Sequence, residues 1–248
     1  MSLGEHLIEL RRRLTIAAIA ILLGAVGGFL LSNYVIDLLV IPIEAVADDR
    51  KIQLTYTTLT EQFDLRFQIA VALSLLITSP VWLYQIFAFF VPGLTRREKR
   101  YTLGFFFTAV PMFLAGGYVG LLIFPHMVAL LTGFSSSALT VTNLSARPYY
   151  DFVIKLVLAV GIAFVLPVFL VLLNFIGVLS ARSILKGWRV AILLITLFCA
   201  TATPAADLVS MFVLAIPMVL LYFAAAGVAL WHDRGAAKRE AALDAELA

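Results

Sequence analysis

Arg96-Arg97-Glu98-Lys99-Arg100 sets one carboxylate among four cations, just after an aromatic-rich apolar stretch that ends at Pro92-Gly93. A lone acid in a basic loop beside membrane-depth aromatics has the makings of a receptor for a cationic group that approaches the bilayer. The same residue also suits a plainer part, a solvated acid near the positive end of a helix. Glu9 poses the question again, because Arg11, Arg12 and Arg13 follow it closely. Leu3, Leu7, Leu10 and Leu14 fall on one helical stripe, which suits this segment to the membrane interface, with Glu9 in the headgroup region. Alternatively Glu9 pairs with Arg13 one helical turn on, a contact worth about 0.2–0.5 kcal/mol. Both readings of each acid stand at this point.

Chemistry of other kinds lacks its residues. His6, His126 and His232 are too scattered to hold a metal. Neither Gly-x-Ser-x-Gly nor His-Glu-x-x-His occurs, so an intramembrane hydrolase has no catalytic cluster to use. A small-molecule secondary transporter places acids or bases at mid-depth and carries repeat symmetry. The apolar segments here show neither. Cys199 is alone, cannot form an internal disulfide, and reads as inert packing in an apolar run. The sequence therefore reads as a non-enzymatic scaffold that calls for no cofactor, metal or nucleic acid and displays carboxylates on one face.

Such a scaffold has to be positioned by a membrane. Of 248 residues, 62% are hydrophobic and 13% charged, with mean hydropathy +1.03. Soluble chains average roughly 45–50% apolar and about 25% charged. Charge-poor segments mark six spans, Leu14–Tyr34, Phe67–Phe90, Leu103–Leu122, Leu156–Ile176, Val190–Ala202 and Leu208–Trp231. A bilayer core of about 30 Å takes roughly 20 helical residues. The fifth span falls short of that, so it pairs with the sixth in a short hairpin turning between Thr203 and Asp207. The run from Leu14 to Leu31 is long enough to be a retained span and not a cleaved signal. No transit-type leader precedes it, which points to a prokaryotic membrane.

Charge gives the orientation. Arg11–Arg13, the four cations of the second loop, Arg182, Lys186 and Arg189, and Arg234, Lys238 and Arg239 all fall on one side. Only Arg50, Lys51 and Arg147 fall on the other, with Arg66 and Lys155 near helix ends. Both termini are thus cytoplasmic by the positive-inside rule. Outside, Lys51–Tyr56 is strand-like, and Thr58-x-x-Glu61 is a capping box that starts the helix into span two. The loop around Ser135–Ser137 and Arg147-Pro148 reads as a second short cap. Pro80, Pro111, Pro167 and Pro217 kink their helices and curve the bundle wall. Gly24-x-x-x-Gly28 and Gly116-x-x-x-Gly120 permit close helix contact within the chain or between copies. The expected fold is an all-α integral membrane protein with six kinked transmembrane helices, the fifth and sixth short, in a concave, glove-like bundle. Residues 1–231 form one membrane domain, and 232–248 a charged, alanine-rich tail read as disordered.

These residues resemble the TatC family, the integral receptor subunit of the twin-arginine (Sec-independent) protein translocase. The likeness runs over nearly the whole chain. It is carried by His6-Leu-Ile-Glu-Leu-Arg-x-Arg-Leu14, Ser79-Pro80 with Tyr84-Gln85, Pro92-Gly-Leu94 and Glu98-Lys-Arg100. Phe164 with Pro167, Thr203-Pro204 with Asp207, and Leu214-Ala-Ile-Pro-Met218 with Leu221-Tyr222 follow. Each pattern is weak by itself, but their order on six spans is specific.

The resemblance implies that cytoplasmic carboxylates receive the paired arginines of a folded cargo's signal peptide. Glu98, with Glu9, Arg11 and Arg100, falls on the family's recognition patch, and Gln85 and Phe89 on its aromatic positions. A carboxylate takes a guanidinium bidentately, which an ammonium cannot copy. Asp207 matches a position linked to assembly with single-span TatA/TatB-type subunits, although capping span six accounts for it equally well. Pro42 matches a position important for activity, or simply fixes a turn. The implied setting is the cytoplasmic membrane, with self-association, lipid contact and a proton-motive force. Two departures stand out. Val165 replaces a glutamate that the family commonly buries in span four, and Met211 sits where some relatives have glutamine. Both put a polar partner-docking site in question.

Overall fold

In lipid, a chain must bond its backbone polar groups within itself, and a helix does so inside one segment. A computed structural model, which describes residues 3–47, 52–90, 96–133, 142–202 and 208–247, is helical almost throughout. The first helix, α1 (Leu3–Ala47), is one continuous rod of 45 residues. At about 1.5 Å per residue it is about 68 Å long, more than twice the bilayer core. The N-terminal leucine stripe therefore runs straight into span one, with Leu7 and Leu14 facing outward. Next come β1 (Ile52–Thr55), α2 (Glu61–Ile77), α3 (Ser79–Phe90) and α4 (Arg96–Gly133). β2 (Thr142–Ser145) leads into α5 (Ala146–Phe175), followed by α6 (Ala181–Lys186), α7 (Trp188–Ala202) and α8 (Leu208–Leu247).

By length and composition, α1, α4, α5 and α8 each suffice to cross a membrane, and α2 with α3 forms a bent pair that makes a fifth candidate crossing. α7, at 15 residues, is short as expected. α8 is not short: its apolar stretch Met211–Gly235 covers 25 residues. Pro217 lies inside that stretch without ending the helix. The helix also continues to Leu247, where the sequence suggested disorder. Alanine, glutamate, arginine and lysine are strong helix formers, and the turn around Asp233 is tied down. Its carboxylate accepts from Asn174 Nδ2 at 2.9 Å and from the Ala181 amide at 2.8 Å.

The break between α2 and α3 sets the site. Proline disfavours helical geometry in the residue before it, and Pro80 follows Ser79 at the start of α3, where its missing N–H costs nothing. Thr78 closes α2, its amide and hydroxyl both donating to the Ser74 carbonyl. The two helices meet at 59°. Trp82 pins the corner by donating to the Leu75 carbonyl at 2.9 Å and standing edge-on to Phe113 at 5.2 Å. α3 is thereby turned to pack against α1 and α4.

The glycine pairs work inside the chain. Gly28 lies against the Ala70 backbone and Gly24 against Ser74 and Thr78, whose helix donates from Ser74 Oγ to the Ile21 carbonyl. Gly116 admits the Val160–Gly161 backbone, and Gly120 admits Val157. Around these approaches Phe124, Met127, Tyr150, Val153 and Leu156 form the main core, and Leu83, Phe87, Ala109, Phe113 and Leu172 a second one. β1 pairs in parallel with β2, Leu54 opposite Leu144, so the segments that lead into α2 and α5 form one cap.

Candidate functional site

Glu9 and Arg13 lie one turn apart on α1, with side chains only 20% and 22% exposed. Arg13 donates to Glu9 Oε1 through Nε at 3.1 Å and Nη2 at 2.5 Å. Its third nitrogen, Nη1, reaches Oε1 of Gln85, 72 positions away on α3, at 3.5 Å. The second Glu9 oxygen, Oε2, is withdrawn from solvent and has no hydrogen-bond partner among the described residues. One oxygen of the carboxylate is thus covered and unsatisfied, and an amide from another helix contacts the same arginine. Phe89, one turn beyond Gln85, is half-buried near the end of α3. Arg11 and Arg12 are exposed. Five residues separate Phe90 from Arg96, so the start of α4 lies within about 20 Å of the end of α3. Tyr84 meets Phe106 of α4 edge-on at 5.6 Å, which holds α3 to α4 just below.

The family model described as Sec-independent protein translocase protein (TatC) matches residues 5–217. The chain belongs to the TatC family. It is 43% identical to the Sec-independent protein translocase protein TatC of Xylanimonas cellulosilytica over 243 residues, covering 97% of this chain and 88% of the relative. It is 35% identical to the TatC of Koribacter versatilis, covering 99% of this chain and 92% of that one. A crystal structure of the twin-arginine translocase receptor TatC superposes with a TM-score of 0.78 at 31% identity, over 91% of this chain and 98% of that one.

In this TatC-family chain, Glu98 and Arg100 are the third and fifth residues of α4, and their side chains lie outside the described residues. Pro42 is within α1, its side chain likewise outside them, and Asp207 lies outside them altogether. Val165 is half-buried and packs against the second core, and Met211 is half-buried against the main core. Val165 thus lies on α5 and Met211 on α8, each against a different core. Between α5, α7 and α8 lies an apolar hollow of about 570 Å³ lined by Leu166, Pro167, Leu194 and Tyr222, among others.

Sequence reasoning missed the Arg13–Gln85 contact. The Glu9–Arg13 spacing was visible, but nothing in a linear pattern puts Gln85 beside it. It also missed most of what Glu61 does. The capping box forms in part, since Glu61 Oε2 accepts from the Thr58 amide at 3.3 Å. The same oxygen accepts from the Thr57 amide at 2.6 Å and hydroxyl at 2.8 Å, while Oε1 accepts from the Arg147 amide at 3.0 Å. Glu61 is 2% exposed. This carboxylate ties both external segments to the head of α2, beside an exposed Asp64–Arg147 ion pair at 3.5 Å.

Proposed function

We propose that the chain is a twin-arginine signal-peptide receptor and a core subunit of a translocase that exports folded proteins across the cytoplasmic membrane. The observation that supports this most is the seat at the α1–α3 junction. Glu9 is desolvated on one oxygen, flanked by Gln85, and followed at the start of α4 by the basic segment that contains Glu98. A desolvated carboxylate with an unsatisfied oxygen discriminates guanidinium from ammonium through fork geometry. Glu98 takes one arginine of the signal and Glu9 the other, with Arg11 and Arg100 bounding the patch and Phe89 meeting apolar signal residues. The signal's hydrophobic part lies along the concave wall made by the bent helices.

In this reading α7 is the fifth of six crossings, residues 1–231 act as one membrane domain, and both termini face the cytoplasm. Single-span TatA/TatB-type partners dock through surfaces that include Val165 of α5 and Met211 of α8, with Asp207 taking part in assembly. Translocation draws on the proton-motive force and no enzymatic step. Relatives with a glutamate at position 165 would set a carboxylate half-buried against the second core. The present chain offers an apolar surface there, so partner docking rests on packing.

Replacing Glu98 by alanine, and separately by lysine, tests the recognition role. We expect export of a twin-arginine reporter and crosslinking to its signal peptide both to fall at least about tenfold, as loss of a charge-assisted hydrogen bond of about 1.5–3 kcal/mol implies. Undiminished export and crosslinking in both variants would contradict the assignment.

A further inference from the structure

We propose that Arg13 is a built-in stand-in for the ligand's arginine, occupying Glu9 in the resting receptor and giving way when a signal-peptide guanidinium arrives. The inference rests on the signal-peptide reading above. Arg13 places two nitrogens, at 2.5 and 3.1 Å, on the same oxygen of Glu9. Its contact with Gln85, at 3.5 Å, is at the outer limit of a hydrogen bond. Oε2 is left out of water with nothing to accept. An ionised carboxylate has about four acceptor sites, and a polar atom withdrawn from water without a partner is costly. The pair is therefore an incomplete version of the two-pronged guanidinium–carboxylate contact.

The shortfall lies in how the pair is seated. As Arg13 is placed, both of its nitrogens fall on Oε1 of Glu9 and none reaches Oε2. An arginine from another chain is not tethered to α1 and can meet both oxygens along one edge. Two guanidinium groups on one carboxylate repel each other, so full seating of the ligand releases Arg13. The released group remains hydrated at the interface on its flexible stem. The amide oxygen of Gln85 then becomes available to the newcomer.

Two consequences follow. The resting receptor does not present a bare, desolvated carboxylate to every passing cation. Lysine, a point charge without the fork, has less to offer against an occupant already in place. Arg13 thus lowers affinity for all cationic ligands while steepening the preference for arginine over lysine.

Arg13→Gln in the full chain, reconstituted in lipid nanodiscs, tests this with two fluorescent synthetic signal peptides, one with paired arginines and one with paired lysines. The strength of a partly exposed ion pair sets the expected gain in affinity for the arginine peptide at about two- to fivefold. The lysine peptide gains more, so the arginine-to-lysine ratio narrows. Arg13→Lys, which keeps the charge but loses the fork, narrows the ratio to a lesser degree. Arg12→Gln removes the same charge one residue away, on an exposed side chain, and leaves the ratio unchanged. If Arg13→Gln weakens binding, or matches Arg12→Gln, while binding still requires Glu9 and the peptide's arginines, the stand-in role is overturned and the receptor reading survives. Binding that ignores both Glu9 and those arginines overturns the two together.

Discussion

Glu61 and Glu9 are two half-hidden carboxylates with opposite states of satisfaction. Glu61 accepts from Thr57, Thr58 and Arg147 and is closed to further business, whereas Glu9 keeps one oxygen unpartnered. Polar groups out of water are normally satisfied, so the first is structural and the second is the better candidate for binding. Glu61→Ala is expected to lower the thermal unfolding temperature in detergent more than Asp64→Ala. It strips the carboxylate from four donors, while the Asp64–Arg147 pair is about half exposed on both sides and worth about 1 kcal/mol or less. Equal shifts for the two variants would contradict the structural role of Glu61. Much of this was legible locally: Thr58-x-x-Glu61 and Glu9-x-x-x-Arg13 are spacings within one turn. The Arg147 amide and the Gln85 side chain are not local, and no spacing rule reaches across 86 or 72 positions.

At the scale of elements, the α2–α3 bend brings Gln85 to Arg13, and it was half legible. Ser79-Pro80 announces a break, but proline chemistry does not give the 59° direction that decides which helix α3 then meets. The glycine pairs were read correctly as points of close approach, and the structure assigns them to contacts within the chain. A side-chain carbon at Gly116 would stand 2.8 Å from both the Val160 carbonyl and the Phe164 ring, whereas one at Gly27 meets nothing within 4 Å. Gly116→Ala is therefore expected to destabilise by about 1–3 kcal/mol through overpacking. Gly27→Ala should be neutral or gain up to about 1 kcal/mol from helix propensity. Thermal unfolding of the two variants side by side checks the order, and a destabilised Gly27→Ala with an unaffected Gly116→Ala would reverse it. The expected short sixth helix rested on pairing it with the short fifth span, Val190–Ala202, in a hairpin, a pairing that says nothing about how far α8 itself extends. Within a bundle, neighbouring groups tolerate an internal proline.

Over the whole molecule, composition alone required a membrane, and the order of helices followed from where charges interrupt the apolar runs. What composition could not show is that α1 runs unbroken for 45 residues, or that β1 and β2 join the segments leading into α2 and α5 into one cap. These features separate the ends of the molecule. One end is braced by Glu61 and the strand pair. The other carries Glu9, Gln85 and the start of α4, in the region where positive residues concentrate. The central claim is that carboxylates at this second end recognise the arginines of a signal peptide. A double-mutant cycle tests it most directly, combining Glu98→Gln in the full chain with replacement of each signal arginine by glutamine, and reading peptide affinity. A direct guanidinium–carboxylate contact predicts a coupling of about 1.5 kcal/mol or more for one of the two arginines. Effects that simply add, to within about 0.5 kcal/mol for both arginines, would contradict it.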